Sequence, residues 1–227
     1  MTLFNWILTG FLIADAGLII LSMIKNLALL KKISCAIFMP LASPHIPLML
    51  ALALPDSYHT LVITSAALAL ISVSLALSVI FEHKIAGILA QILFLAGICL
   101  WCRIFKYVFY VYRLPQWAVV SIIILCVIIA VMPLVFLGKM QAHNYVFLIL
   151  LTASSLLLAV FAFVLLIFER NTRAVILFSA SIVNLAAVIF SAVPESKIRI
   201  KEKTPIRIAA VTASQILIAI SAMLVFF

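Results

Sequence analysis

The stretch NYVFLILLTASSLLLAVFAFVLLIF occupies residues 144–168 and contains no charged side chain. A transmembrane α-helix needs about 20 predominantly apolar residues, because it rises about 1.5 Å per residue through a hydrocarbon core about 30 Å thick. Residues 144–168 are therefore long enough to cross a bilayer as one helix. The stretch decides the fold class, since buried helical runs in soluble domains are usually shorter.

Further apolar runs, bounded by charged or Pro-containing breaks, flank this stretch on both sides. They cover residues 4–24, 35–54, 60–81, 85–102, 117–137, 174–193 and 208–227. The first run is longer than the apolar part of a signal peptide, and residues 1–8 carry no Lys or Arg, so we expect a retained helix. The chain has no low-complexity stretch or soluble linker. The sequence predicts an all-α integral membrane protein whose single domain, residues 1–227, is an eight-transmembrane-helix bundle.

Composition limits the classes of function. Hydrophobic residues make up 68% of the chain and charged residues 9%, against about a quarter charged in soluble domains. Little sequence remains for a domain outside the bilayer, which argues against a soluble nucleotide-binding enzyme and, despite the net charge of +9, against DNA binding. We therefore expect membrane lipids as partners, with no nucleic acid and no cofactor.

The distribution of Lys and Arg predicts the orientation. One set of loops carries 10 of the 15 basic residues and the other set carries 5. The richer set is Lys25, Lys31, Lys32, Lys84, Lys139, Lys197, Arg199, Lys201, Lys203 and Arg207. The poorer set is Arg103, Lys106, Arg113, Arg170 and Arg173. The positive-inside rule places the richer set in the cytoplasm and both termini outside, in a plasma or inner membrane.

Asp15 and His45 are the candidate catalytic residues. Asp15 lies in the middle of the first apolar run, where a desolvated carboxyl group has a raised pKa and is suited to donate a proton. The alternative is a neutral, hydrogen-bonded Asp15 that joins helices. His45 lies between Pro44 and Pro47, which with Pro40 must kink or unwind the second run. Either His45 lines a cavity there or it lies near a membrane surface.

Other polar side chains have simpler explanations. Cys99 and Cys102 form a CxxC motif, but a metal site needs more ligands, so we interpret them as packing residues and expect no metal. Gln91, Asn184 and Gln215 are single amides within apolar runs, which predicts interhelical hydrogen bonds.

Two charged segments lie between the apolar runs. Arg103, Lys106 and Arg113 alternate with aromatic residues, a pattern typical of an aromatic belt at the membrane interface or of a lipid head-group contact. The segment from Glu195 to Arg207 is expected to be a solvated cytoplasmic loop.

The sequence MPLASP at residues 39–44, followed by PLML at residues 47–50, resembles the lysoplasmalogenase (YhhN-like) membrane family. That family opens its second span with Lys-Pro-Leu-x-x-Pro and a leucine-rich run, so Pro40, Leu41 and Pro44 are retained. The resemblance extends over most of the chain through its length and the spacing of its spans. It implies an eight-helix bundle that hydrolyses the vinyl-ether bond of lysoplasmalogens, which requires a proton donor and a base near a lipid chain.

The chain departs from the family at its polar positions within the membrane. The family's lysine corresponds to Met39, and its Gly-Asp pair in the third span corresponds to Ser74-Leu75. The histidine of the fourth span falls at Ala96, the Ser-Asp pair of the seventh near Ala186-Ala187, and the histidine of the last near Gln215. The resemblance therefore implies a retained scaffold without the family's chemistry.

These observations favour a divergent lysoplasmalogenase-like protein that binds a lysophospholipid or ether lipid and lacks hydrolase activity. One alternative is an active hydrolase that uses a relocated acid, Asp15, with His45 as its partner. Another is a small-molecule transporter or permease subunit, suggested by Asp15 and the Pro-broken second span. Residues 1–113 and 114–227 show no convincing internal repeat, which speaks against transport.

Overall fold

The chain is helical in most of the residues that its computed structural model describes, which are 58–80, 84–137, 142–192 and 203–224. In chain order the helices are α1 (Tyr58–Ile80), α2 (Lys84–Phe105), α3 (Tyr107–Val111), α4 (Gln116–Leu137), α5 (Ala142–Glu169), α6 (Thr172–Ala192) and α7 (Lys203–Met223). Helices satisfy their own backbone hydrogen bonds, which hydrocarbon demands. Five helical spans in these ranges are long and apolar enough to cross a membrane, as in a multipass helical membrane protein.

The predicted spans from residue 60 onward each coincide with a long helix. The quoted stretch at residues 144–168 lies within α5, and the run at 117–137 matches α4 almost residue for residue. The apolar part of α4, Gln116–Val131, is shorter than the five long spans. The spans predicted at residues 4–24 and 35–54 lie outside the described residues.

Five helices enclose the core as a ring. Helix α1 packs on α2, α2 on α5, α5 on α6, α6 on α7, and α7 returns to α1. Large side chains fill its centre, including Trp101, Phe105, Leu158, Leu177 and Ile218, all of them buried. Helix α4 packs on α5 outside the ring, and most of its large apolar side chains are exposed. Lipid chains solvate such a surface as well as protein does, so its exposure is ordinary in a membrane.

Small side chains allow α1 and α2 to approach closely. Gly97 of α2 faces Ile71 and the backbone of Ala67, where a Cβ atom would lie 2.5 Å from Ile71 Cγ1. About two turns nearer the start of α2, the Ser74 hydroxyl donates a hydrogen bond of 2.6 Å to the carbonyl of Ala90. A serine that bonds the backbone of a neighbouring helix requires this short separation.

A two-residue turn reverses the chain between α5 and α6. Arg170 ends α5 with φ at 50°, the left-handed conformation common just after a helix. The Asn171 side chain then accepts a hydrogen bond of 2.9 Å from the Ala174 backbone N–H, and its own amide donates to Glu169 at 3.0 Å. Asn171 thus satisfies an otherwise unpaired N–H and fixes where α6 begins.

The two charged segments are partly helical, which makes the solvated-loop prediction wrong at its end. Helix α2 continues to Phe105 and α3 follows at once, so residues 103–111 lie mostly in helices. Phe105, one of the aromatic residues in the first segment, is fully buried in the core. The segment predicted as a solvated loop up to Arg207 is already helical from Lys203, since the apolar neighbours of the basic residues extend α7 at its start.

Candidate functional site

A cavity of about 290 Å³ lies between the five helices of the ring, at the end where α2, α5 and α7 begin. This volume is near the lower end of the range typical of small-molecule sites. The residues that line it come from α1, α2, α5, α6 and α7. They are Ser74, Leu75, Ser78, Ala90, Gln91, Phe94, Asn144, Phe147, Leu148, Leu151, Ala187, Val188, Ser191, Arg207 and Val211.

The cavity has both an apolar and a polar wall. Phe94, Phe147 and Leu148 belong to α2 and α5 and supply aromatic and aliphatic surface. Further aliphatic side chains come from all five helices of the ring, and hydroxyl, amide and guanidinium groups lie among them. An enclosure with both kinds of surface suits an amphiphile, because each part of such a ligand finds a matching neighbour.

Arg207 is the charged residue of this lining. Its Nη2 donates a hydrogen bond of 3.0 Å to the Ser78 hydroxyl, which itself donates to the Leu75 carbonyl at 2.9 Å. The Nε–H of Arg207 is buried and has no hydrogen-bond partner among the described residues. No carboxylate occurs in the lining that the structure describes. The guanidinium charge therefore faces the cavity with one neutral hydroxyl as its partner.

Two amides connect α2 and α5 across the cavity wall. Gln91 Nε2 donates to Asn144 Oδ1 at 3.4 Å, while Gln91 Oε1 is buried without a partner in the described part of the chain. The Ser74 hydroxyl is already bonded to a backbone carbonyl, as described above. Among the described residues that line the cavity, Gln91 thus has an unused acceptor and Arg207 an unused donor.

A chain of buried hydrogen bonds lies deeper in the ring. The Trp101 indole N–H donates to Gln215 Oε1 at 2.7 Å, Gln215 Nε2 donates to Asn184 Oδ1 at 2.8 Å, and Asn184 Nδ2 donates to Ser155 Oγ at 3.1 Å. These side chains, all fully buried, join α2, α7, α6 and α5. The interhelical hydrogen bonds predicted for Gln91, Asn184 and Gln215 are confirmed. The chain of bonds from Trp101 to Ser155 joins the helices below the cavity.

A second polar cluster lies at the opposite end of the ring. Arg173 forms an ion pair with Glu169 at 3.6 Å, bonds the Tyr107 hydroxyl, and donates from Nε to the Ser221 carbonyl at 3.1 Å. Tyr112 donates to Glu169 at 3.1 Å. Burial and then this hydrogen bond raise the pKa of the Tyr112 phenol to about 12. Each side chain of this cluster has a protein partner, so we interpret the cluster as a structural one that holds the ends of the helices together.

None of the site residues proposed from sequence belongs to the described lining of the cavity. Asp15 and His45 lie outside the described residues, as do the retained family positions Pro40, Leu41 and Pro44. The proposed head-group residues are exposed near the Arg173 end of the bundle, where lipid head groups would be reached. They are Arg103, Lys106 and Arg113.

The cysteines do not form a centre. Cys99 is exposed, Cys102 is half-buried and donates to the Ser154 carbonyl at 3.5 Å, and Cys126 is buried. The packing prediction is therefore wrong for Cys99, which points away from the core. In the part of the chain that the structure describes, no group of His, Cys, Asp and Glu is arranged to hold a metal ion.

Sequence reasoning missed Arg207, although a signal was present. Arg207, Val211 and Gln215 follow one another at intervals of four residues, which places them on one face of a helix. Extending the apolar run at 208–227 backward by one turn would have put Arg207 on the inward face with Gln215. Because Arg207 is charged, sequence reasoning placed it in a loop and did not recognise it as a cavity residue.

No protein-family model matches the chain, and comparisons with curated proteins and with solved structures found no match. The class that the fold itself defines is that of multipass helical membrane proteins.

Proposed function

We propose that this membrane protein binds a single-chain lipid, a lysophospholipid or ether lipid, in the cavity between its helices, and that it does so without hydrolysing it. The proposal keeps the scaffold of the lysoplasmalogenase-like family that the sequence resembles and leaves out the chemistry. The observation that carries it is the cavity itself, which combines aromatic and aliphatic side chains with the guanidinium of Arg207.

Two positions that correspond to polar pairs of the family line this cavity. They are Ser74-Leu75, which correspond to its Gly-Asp pair, and Ala187 from the Ser-Asp pair. Gln215, at the position of the last histidine, lies one turn of α7 beyond the lining residue Val211, while Ala96, at the position of the other histidine, is not in the lining. The first two positions support a cavity that corresponds to the family's site with altered chemistry.

The lining explains the expected loss of hydrolysis. Vinyl-ether cleavage needs a group that gives a proton to carbon and a base that activates water. Serine hydroxyls, two amides and a permanently charged guanidinium line the described cavity, and none of these is an effective proton donor near neutral pH. This described lining supports the proposal of binding without turnover.

Lipid binding and aldehyde release measured on one detergent-solubilised preparation test the proposal. We expect one lysoplasmalogen bound per chain by native mass spectrometry and no aldehyde above an unrelated membrane protein. Ala187→Leu, which fills the cavity, should abolish binding. Its neighbour Ala186 is exposed, so Ala186→Leu is the matched control and should bind normally.

The opposite results separate the alternatives. Absence of binding by the wild-type protein would refute the proposal. Aldehyde release that disappears in Asp15→Asn would show an active hydrolase with a relocated acid.

A further inference from the structure

Two polar atoms of the cavity lack partners, and they have opposite hydrogen-bonding roles. Arg207 Nε–H is a donor and Gln91 Oε1 is an acceptor, and both are buried without a partner among the described residues. Leaving a buried polar atom unpaired is costly, and native proteins seldom do so without a reason. Both residues line the same cavity, so they are candidates for contact with one ligand.

The two arginines that enter the ring differ in how they are neutralised. Arg173, at the far end, has Glu169, a tyrosine hydroxyl and a backbone carbonyl as partners. Within the described residues Arg207 donates a hydrogen bond to Ser78 alone, and that hydroxyl carries no charge. A half-buried guanidinium favours a counter-charge, and its planar donor set fits phosphate oxygens well. No described carboxylate supplies that charge at the cavity, so Arg207 is placed to bind an anion there.

We infer that Arg207 and Gln91 form a two-point subsite for a phosphate ester that carries a neighbouring hydroxyl group. Arg207 binds the phosphate oxygens, and Gln91 Oε1 accepts a hydrogen bond from the hydroxyl. The inference rests on the proposed function, since Phe94, Phe147 and Leu148 would receive the hydrocarbon chain of a lipid ligand. A free phosphate ester carries the same phosphate and hydroxyl groups as a lipid head group, so the test must distinguish the lipid from the free ester.

Four probes separate head group from chain. They are a 1-alkylglycerol 3-phosphate, its analogue without the 2-hydroxyl, the uncharged 1-alkylglycerol, and glycerol 3-phosphate without a chain. We expect the wild-type protein to prefer the first to the uncharged alkylglycerol by about 10- to 100-fold, the range for hydrogen bonds to a charged group. This arm needs no variant and therefore does not depend on the folding of one.

Substitutions at Arg207 and Gln91 test which side chain recognises the phosphate and which recognises the hydroxyl group. Arg207→Gln should remove the preference for phosphate and leave affinity for the uncharged alkylglycerol within about twofold. Gln91→Met should remove the preference for the 2-hydroxyl while retaining that for phosphate. Arg170→Gln removes a charge from an exposed turn outside the cavity and should change neither preference.

Three results would overturn the inference. It is wrong if the wild-type protein does not distinguish the charged from the uncharged lipid, or if Arg207→Gln retains the discrimination. In either case the proposed function survives, provided that the lipid still binds and Ala187→Leu abolishes its binding. If glycerol 3-phosphate binds as tightly as the lipid, the hydrocarbon chain adds nothing to binding. The claim that the subsite binds a lipid phosphate and the proposed function then both fail.

Discussion

Gly97→Ala should destabilise the bundle although alanine is the better helix former. The new Cβ would lie 2.5 Å from Cγ1 and 2.8 Å from Cδ1 of Ile71, against about 3.5–4.0 Å for an ordinary carbon contact. Ile71 is fully buried and β-branched, so its side chain cannot turn aside freely. Overpacking of this kind costs about 1–3 kcal/mol, and replacing helical glycine returns about 0.5–1 kcal/mol. We expect a net loss of about 1–2 kcal/mol in the free energy of unfolding.

Reversible unfolding in mixed dodecyl maltoside and SDS micelles, followed by far-UV circular dichroism, measures this change. Gly87 is the matched control, because it lies in the same helix and nothing lies within 4 Å of its added Cβ. Gly87→Ala should be neutral or stabilising. In an Ile71→Ala background the cost of Gly97→Ala should vanish, since the overlapping atoms are gone. Equal effects of the two glycine substitutions, or an undiminished cost in that background, would refute the packing argument.

Three further predictions concern polar contacts. Gln215→Leu leaves the Trp101 indole N–H without its acceptor, so the same unfolding assay should show a loss of roughly 1–2 kcal/mol; unchanged stability would contradict the role of the network. Because burial, followed by a carboxylate hydrogen bond, raises the pKa of Tyr112 from 10.0 to about 12, its contribution to stability is complete below pH 10 and is lost as the pH rises toward 12. Tyr112→Phe should flatten that part of the stability profile, and an identical decline in both proteins would count against it. Arg173→Gln should accelerate hydrogen exchange around Ser221 at the end of α7, with no change expected at the start of that helix.

Hydrophobic patterning predicts the helices of the described residues well. The run at 144–168 became α5, Ala142–Glu169, because hydrocarbon leaves an uninterrupted apolar segment no alternative to a helix. The amides at Asn184 and Gln215 were also predictable as interhelical donors and acceptors, since an amide in a membrane must find a partner. Each of these conclusions needs only the residues of one segment, and such local patterns can be read directly from the sequence.

The cavity was not predictable in this way. Its lining comes from five helices, and which faces meet depends on tertiary contacts such as Gly97 against Ile71. Arg207 looked like a loop residue because its charge was weighed without its position four residues before Val211. The candidate acid at Asp15 lies outside the described residues, so its role stays a prediction.

The bond between Trp101 and Gln215 joins residues 114 positions apart, and this separation bears on how the protein is made. During synthesis α2 leaves the ribosome long before α7, and its indole N–H then lacks the acceptor that the finished protein provides. The Oδ1 atom of Asn184 likewise lacks its donor, the Gln215 amide, until α7 has been made. Assembly of the ring is therefore completed by its last helix, and a chain that stops short of α7 exposes unpaired polar groups to lipid. Such groups are what membrane quality control can recognise, so truncated chains should be short-lived in the cell.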